Sequence, residues 1–369
     1  MQALTFPLPA LADGTVHHIT ALRYGQAGAR PKAYLQAGLH ADEFPGMLAL
    51  HLLRGMLDRA AAQGRIRGEI LILPQCNPLG LTQHESGFLL GRYEAASGEN
   101  FNRRYPDLTA SLTGLAPGAD AAENVATIRA AMGAALAAMR PTTALEAMRH
   151  RLLILAHDAD LVLDLHADNQ ALPHVYTGTP LWPNARDIAA EIGARAVLLA
   201  EVSGGNPFDE ALSGPWWALA RAHPAAAIPP ACLSATLELG SNDDVDLHQA
   251  EDQAAALYRI LERRGLIEGD PGRLPGALCA ATPLTAMAQI RAPIGGLVAY
   301  RRQLGDSLRA GEVVAVLIDP LGDSVEVAAE TDGILFARHS QPFAWPGKVI
   351  GKIAGEADLA HRGGQLLTD

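Results

Sequence analysis

The chain has 369 residues, 49% hydrophobic and 19% charged, with no low-complexity tract, so it carries enough apolar material for a sizeable core. A formal net charge of -11 argues against nucleic acid or an anionic membrane surface as partner, since both require clustered Lys and Arg, and a small-molecule partner is expected instead. Met1–Gly14 lacks a basic segment followed by an apolar stretch, and nowhere do about 18 uncharged apolar residues run together, so the expectation is a cytoplasmic protein with no membrane partner.

In chain order, apolar runs read as strands at Ala33–Leu39, Glu69–Leu73, Asp160–Leu165, Arg195–Ala200 and Cys232–Leu237, with helical or loop-rich stretches between them. That alternation predicts an α/β fold. The clearest helix begins after Asp42: Pro45 suits a first turn, and Met47, Leu48, Leu50, Leu53, Met56 and Leu57 recur at helical spacing. Ala121–Leu155 is Ala-rich and broken by Pro141, which predicts two helices.

Between Ile267 and Pro283 the composition shifts to Gly, Pro and Ala, and from Ala286 to Ile353 short β-like runs alternate with glycine turns. Two domains are therefore expected, an α/β catalytic domain over 1–275 and a smaller all-β domain over 276–369. The latter resembles the barrel-sandwich fold of biotinyl and lipoyl carrier domains, but its Thr331–Ile334 turn has no lysine to modify. A structural or pocket-completing role follows, and a covalent acyl carrier is disfavoured.

Cys76, Cys232 and Cys279 lie too far apart for a Cys-x-x-Cys metal site or a disulfide framework, and are expected to be buried small hydrophobes. The chemistry is concentrated in Gly38–Gly46, where His40 ends a strand and Glu43 follows three residues later at a helix start. One turn of chain can aim both at one point, and an imidazole nitrogen with a carboxylate oxygen suits zinc. A catalytic zinc wants a third protein ligand, and His166, in Leu161–Asp168, also ends an apolar strand. Asp164 or Asp168 could then orient a ligand histidine.

Activating water at such a centre needs a base. Leu233, Ala235 and Leu237 point one way along their strand, so Glu238 points the other and is the candidate. Arg92, Arg103 and Arg104, with asparagine and tyrosine side chains between Gly91 and Asp107, read as an anion site, in which a guanidinium can also polarise a scissile carbonyl. Ser203–Phe208 and Ser213–Trp217 read either as mobile pocket loops or as segments whose tryptophans pack between layers. His174 and His248 could approach the metal but have no ligand at short spacing.

In the order His40-x-x-Glu43, Asn102-Arg103, Asp164-Leu165-His166 and Glu238, followed by the β-rich segment, the chain resembles the succinylglutamate desuccinylase/aspartoacylase family of the zinc carboxypeptidase superfamily. The resemblance implies a carboxypeptidase-like mixed sheet flanked by helices and hydrolysis of an N-acyl amino acid or related amide. By similarity His40, Glu43 and His166 bind one zinc per chain, Glu238 is general base and acid, Asn102 and Arg103 hold a substrate carboxylate, and Arg92 polarises the scissile carbonyl. Ala95–Gly98 stands as an insertion between Arg92 and Asn102, and no arginine occurs from Ala222 to Leu237, where aspartoacylases carry another carboxylate-binding residue. A metallocarboxypeptidase acting on peptides and a non-catalytic zinc-dependent binding module are the competing readings. A homo-oligomer is left open.

Overall fold

The computed structural model describes residues 1–364 together with 366 and 367. Nine strands share one mixed sheet: β1 (Gln2–Pro7), β2 (His18–Tyr24), β3 (Lys32–Ala37), β4 (Glu69–Leu73), β5 (Leu161–Asp168), β6 (His174–Thr177), β7 (Ala196–Leu199), β8 (Leu233–Ser241) and β9 (Ala281–Pro283). Their spatial order is β1-β2-β4-β3-β5-β8-β6-β7-β9. Strands β4, β3, β5 and β8 are parallel, which places their carboxyl ends on one edge. β6 enters antiparallel to β8, and β1 and β2 close the far edge antiparallel.

The five strands expected from apolar runs are all present, as β3, β4, β5, β7 and β8. β5 and β8 continue past their apolar stretches to Asp168 and Ser241. β1 has no continuous apolar run, because as an edge strand it buries little.

Helix α1 (Pro45–Ala62) starts at its proline and buries Ala49, Leu50, Leu53, Leu57 and Ala60 along one stripe. The Ala-rich stretch forms α2 (Ala121–Ala138) and α3 (Ala144–Ala156); Asp120 caps the first, and a Thr143–Glu146 capping box starts the second just beyond Pro141. The chain continues through α4 (Arg186–Glu191), α5 (Phe208–Ala222) and α6 (Leu247–Arg263). Among the described residues no helix is long and apolar enough to cross a membrane.

Strand alternation sorts the side chains into two layers. Leu161, Leu163 and Leu165 of β5 and Leu233, Ala235 and Leu237 of β8 pack with Leu53 and Leu57 of α1 and Leu257 and Leu261 of α6. The opposite face, with Tyr34 and Val162, packs against α2, α3 and α5 through Ile128, Met132, Leu152, Leu212 and Trp216. Ser213–Trp217 is therefore not a loop. It lies inside α5, and Trp216 and Trp217 are buried, so packing explains both tryptophans.

Beyond β9, which joins the main sheet parallel to β7, the C-terminal region is all antiparallel. One sheet runs Ser324–Ala328, Val313–Ile318, Gly296–Tyr300, Phe343–Ala344; a second runs Met287–Arg291, Val349–Gly355, Gly333–Arg338, Ser307–Leu308. Between them Ile290, Val298, Leu317, Leu335 and Ile353 form a separate core. The second sheet also takes in Gln170–Ala171, the residues that leave β5, through pairing with Ala337 and Arg338. Arg338 Nε donates to Gln170 Oε1 at 2.7 Å. The C-terminal sheet is thus fixed against the strand that carries His166.

Candidate active site

Gly38, at φ +70, turns the chain out of β3 and starts the loop that carries His40 and Glu43. The Glu43 amide donates to the His40 carbonyl at 3.2 Å, closing a turn that brings both side chains to the end of the sheet. Glu43 precedes α1 by two residues, where the helix's positive end favours a carboxylate. His166 reaches the same place from β5. It shares the even-numbered face with Val162 and Asp164, opposite Leu163 and Leu165.

The three residues converge. His40, Glu43 and His166 are 4%, 4% and 3% exposed, and each offers a ligand atom within 4.8 Å of the others. Glu43 Oε1 lies 2.9 Å from His40 Nδ1, and its Oε2 lies 2.7 Å from His166 Nδ1. Both histidines therefore present Nδ1 to the common point and turn Nε2 away. Among the described residues this is the one group of His, Cys, Asp and Glu side chains with such convergence. Its nitrogen and oxygen donors fit a zinc-type ion.

The outer nitrogens are both held. His40 Nε2 is 2.9 Å from Asn100 Oδ1, and His166 Nε2 is 3.0 Å from Asp164 Oδ2. Asp164 is tied further into the core, since Gln36 Nε2 donates to its Oδ1 at 2.9 Å and Tyr34 OH donates to Gln36 Oε1 at 2.7 Å. With a metal on Nδ1 in place of a proton shared with Glu43, these acceptors would keep Nε2 protonated and orient each ring. Burial lowers the His40 pKa, although the Glu43 charge opposes it. Burial alone would raise Glu43, but the flanking His40 and His166 hold it below the usual carboxylate range.

Glu238 sits directly across from His166 in the β5–β8 register, on the face opposite Leu237. Burial, followed by the charge of Glu43, pushes its carboxyl up to about 8. Its Oε2 accepts no hydrogen bond among the described residues. His40, Glu43, Arg92, Asn102, Arg103, His166 and Glu238 line one cavity of about 120 Å³. Of the residues expected to form the site, Arg104 of the anion loop is not on this wall, and its side chain is 72% exposed.

Arg92 is the most exposed of the set, with its side chain 41% accessible, and its Nη1 lies 3.5 Å from His40 Nδ1 and 3.6 Å from Glu43 Oε1. The residues between it and Asn100 form a closed excursion: Tyr93 pairs with Asn100, Glu94 N donates to Glu99 O at 2.8 Å, and Phe101 N donates to Arg92 O at 3.1 Å. Ala95–Gly98 therefore bulges outward without separating Arg92 from Asn102 in space. Gly91 makes the close approach, since a Cβ there would lie 2.2 Å from the Asp42 amide nitrogen.

Asn102 is largely engaged by the protein. Its Oδ1 accepts from Phe208 N at 2.9 Å and caps α5, whose preceding residue Pro207 offers no cap of its own. Its Nδ2 lies 3.3 Å from His166 Nε2. Arg103 is 7% exposed, and its Nη1 donates to the Asn102 carbonyl at 2.8 Å. The Ser203–Phe208 segment folds over this pair: Arg104 N donates to Gly205 O, and a Cβ at Gly205 would meet Arg103 Cδ at 2.5 Å.

The two further histidines stay out of the donor set. His174 is fully buried, donates from Nδ1 to Leu172 O at 2.8 Å, and packs edge-on against Tyr176 and Phe336. His248 is exposed on α6. Cys76 and Cys232 are buried and Cys279 is partly buried; burial pushes all three thiols up, away from the reactive thiolate.

Other wall residues carry no local sequence signal. Tyr176, Asp209, Gln289 and Lys352 face the same cavity. Asn100 stands behind His40, and only its place beside Asn102 in the motif could have marked it.

The catalytic-domain model of the succinylglutamate desuccinylase/aspartoacylase family matches residues 29–264. N-alpha-acetyl-L-2,4-diaminobutyric acid deacetylase of Halomonas elongata is 24% identical over 348 residues, which cover 91% of this chain and 84% of that protein. A succinylglutamate desuccinylase/aspartoacylase family protein from Shewanella amazonensis has a similar structure, with a TM-score of 0.82 at 26% identity over 96% of this chain and 98% of its own. The product-bound ectoine utilization protein of Ruegeria pomeroyi shares the fold, with a TM-score of 0.67 at 17% identity over 96% and 95% of the two chains. The matched segment holds every residue of the donor cluster together with Arg92, Asn102, Arg103 and Glu238, and the chain belongs to the succinylglutamate desuccinylase/aspartoacylase family.

Proposed function

We propose that the protein is a zinc-dependent deacylase that hydrolyses the amide bond of a small N-acyl amino acid. The observation that carries this reading is the convergence of the buried His40, Glu43 and His166 donors in one cavity with the Glu238 carboxyl. Family membership and the similarity to a deacetylase support the same reaction class.

His40 and His166 would hold the metal through Nδ1 and Glu43 through its carboxylate. A bound zinc lowers the pKa of water and polarises a scissile carbonyl. Glu238 takes a proton from the attacking water and returns it to the leaving nitrogen, which departs as a free amine. Its unpaired oxygen and raised carboxyl pKa suit a group that must both accept and release a proton near neutral pH. Arg92 stands at the rim beside His40, placed to stabilise the oxyanion that forms on the acyl carbon. Arg103 and the Asn102 amide nitrogen hold the substrate's carboxylate.

The β-rich segment over 276–369 acts in this reading as a smaller domain that walls the pocket with Leu284, Gln289 and Lys352. A cavity closed on that side suits a compact acylated amino acid better than an extended peptide. The test is amine release from a panel of N-acyl amino acids by the zinc-loaded protein, with metal content measured in parallel. Glu238→Gln should keep one zinc per chain and lose about 10²- to 10⁴-fold in turnover. A variant that retains full turnover would sink the base assignment, and cleavage of peptides alone would replace the deacylase reading with a carboxypeptidase.

A further inference from the structure

Asp209, in the first turn of α5, lines the cavity and is only 7% exposed. Its backbone carbonyl is fixed by Ser213 Oγ and Ser234 Oγ, each at 2.8 Å. Its carboxylate has no such support. Among the described residues no ion pair and no side-chain hydrogen bond reaches it, and the backbone amide of Glu210 is the donor beside it.

The other acids on the wall have partners or duties. Asp168 pairs with Lys352, Glu210 Oε1 accepts from Ser203 N at 2.8 Å and has Arg103 nearby, and Glu238 faces the metal ligands. A buried carboxylate is costly to leave without a cation or a proton. Burial and the charges of Glu210 and Asp164 accordingly raise Asp209 to about 7. An ammonium group entering the cavity would remove that cost, whereas an acidic side chain would add to it.

We propose that Asp209 receives a free ammonium group of the substrate, so that the substrate class is an N-acyl diamino compound: one nitrogen acylated and cut, the other free and protonated. This rests on the deacylase reading and narrows it.

The zinc-loaded enzyme is offered N-acetyl derivatives of 2,4-diaminobutyrate, ornithine and lysine, each beside its methyl-terminated isostere, and N-acetylaspartate. At least one diamino member should exceed its isostere about tenfold or more in kcat/KM, mainly through KM, and Asp209→Asn should collapse that preference. If neutral or acidic members are hydrolysed as well as diamino ones, the Asp209 assignment is overturned and the deacylase reading stands. If no amine is released from any of them, the deacylase reading falls. Calorimetry then decides Asp209 separately: free ornithine should bind at least about tenfold more tightly than norleucine, and equal affinity overturns the proposal. A matched thermal melt of Asp209→Asn shows that a loss of preference is not a loss of fold.

Discussion

Lys352, on the last strand of the C-terminal sheet, forms an ion pair with Asp168, two residues beyond His166 on β5. The partners are 184 positions apart in sequence, and both line the active-site cavity. The pair therefore locks the C-terminal region onto the strand end that presents His166. It also neutralises a buried acid on a wall already crowded with carboxylates.

Lys352→Met should leave Asp168 without its cation. A loss of about 2 kcal/mol in unfolding free energy is expected, since removing one member of a mostly buried pair costs more than the pair itself contributes. Lys352→Arg should recover most of it. Urea midpoints of the three proteins check this, and a midpoint for Lys352→Met equal to that of the parent would show that the pair does not hold the two regions together.

Asn100 and Asp164 hold the outer nitrogens of His40 and His166. Asn100→Ala and Asp164→Asn should each weaken zinc affinity by about 10- to 100-fold, while His40→Ala and His166→Ala should lose stoichiometric metal. Competition with a chromophoric chelator gives the affinities. Unchanged affinity in both outer variants would mean that the rings are oriented by packing alone.

Gly91→Ala would force a Cβ into the Asp42 backbone and push away the loop carrying Arg92. Metal content should be retained while kcat/KM falls by about 10²-fold, the usual effect of misplacing a reacting group by an ångström. A variant with parental activity would remove Arg92 from the reaction.

Lys32 and Asp158 form an ion pair at the opposite end of the sheet, with Arg30 adding to it. Burial would raise the Asp158 pKa, but Lys32, His157 and Arg30 more than offset it and hold it below its ordinary value. A depressed carboxylate contributes stability that is fully present above the unfolded-state value near pH 4 and is lost as pH falls through the folded-state value. Lys32→Met should therefore be less stable than the parent by about 1 to 2 kcal/mol at pH 7, with the gap narrowing at pH 3. Urea titrations at the two pH values measure it, and a gap independent of pH would contradict the assignment.

Residues close in sequence determined much of this site before any fold was known. His40 and Glu43 are three positions apart, so one turn of backbone brings them together whatever surrounds them. The period-2 alternation of Leu161–Leu165 and Leu233–Leu237 likewise decided that His166 and Glu238 leave their strands on the face opposite the leucines. Tertiary structure decided the rest. Asn100 behind His40, Asp209 unpaired in α5 and Lys352 against Asp168 depend on strand order and on the seating of the C-terminal sheet, and no local pattern encodes a contact between residues 168 and 352. Edge strand β1 escaped notice for a related reason: it buries one face only partly, so burial imposes little hydrophobic signature on its sequence.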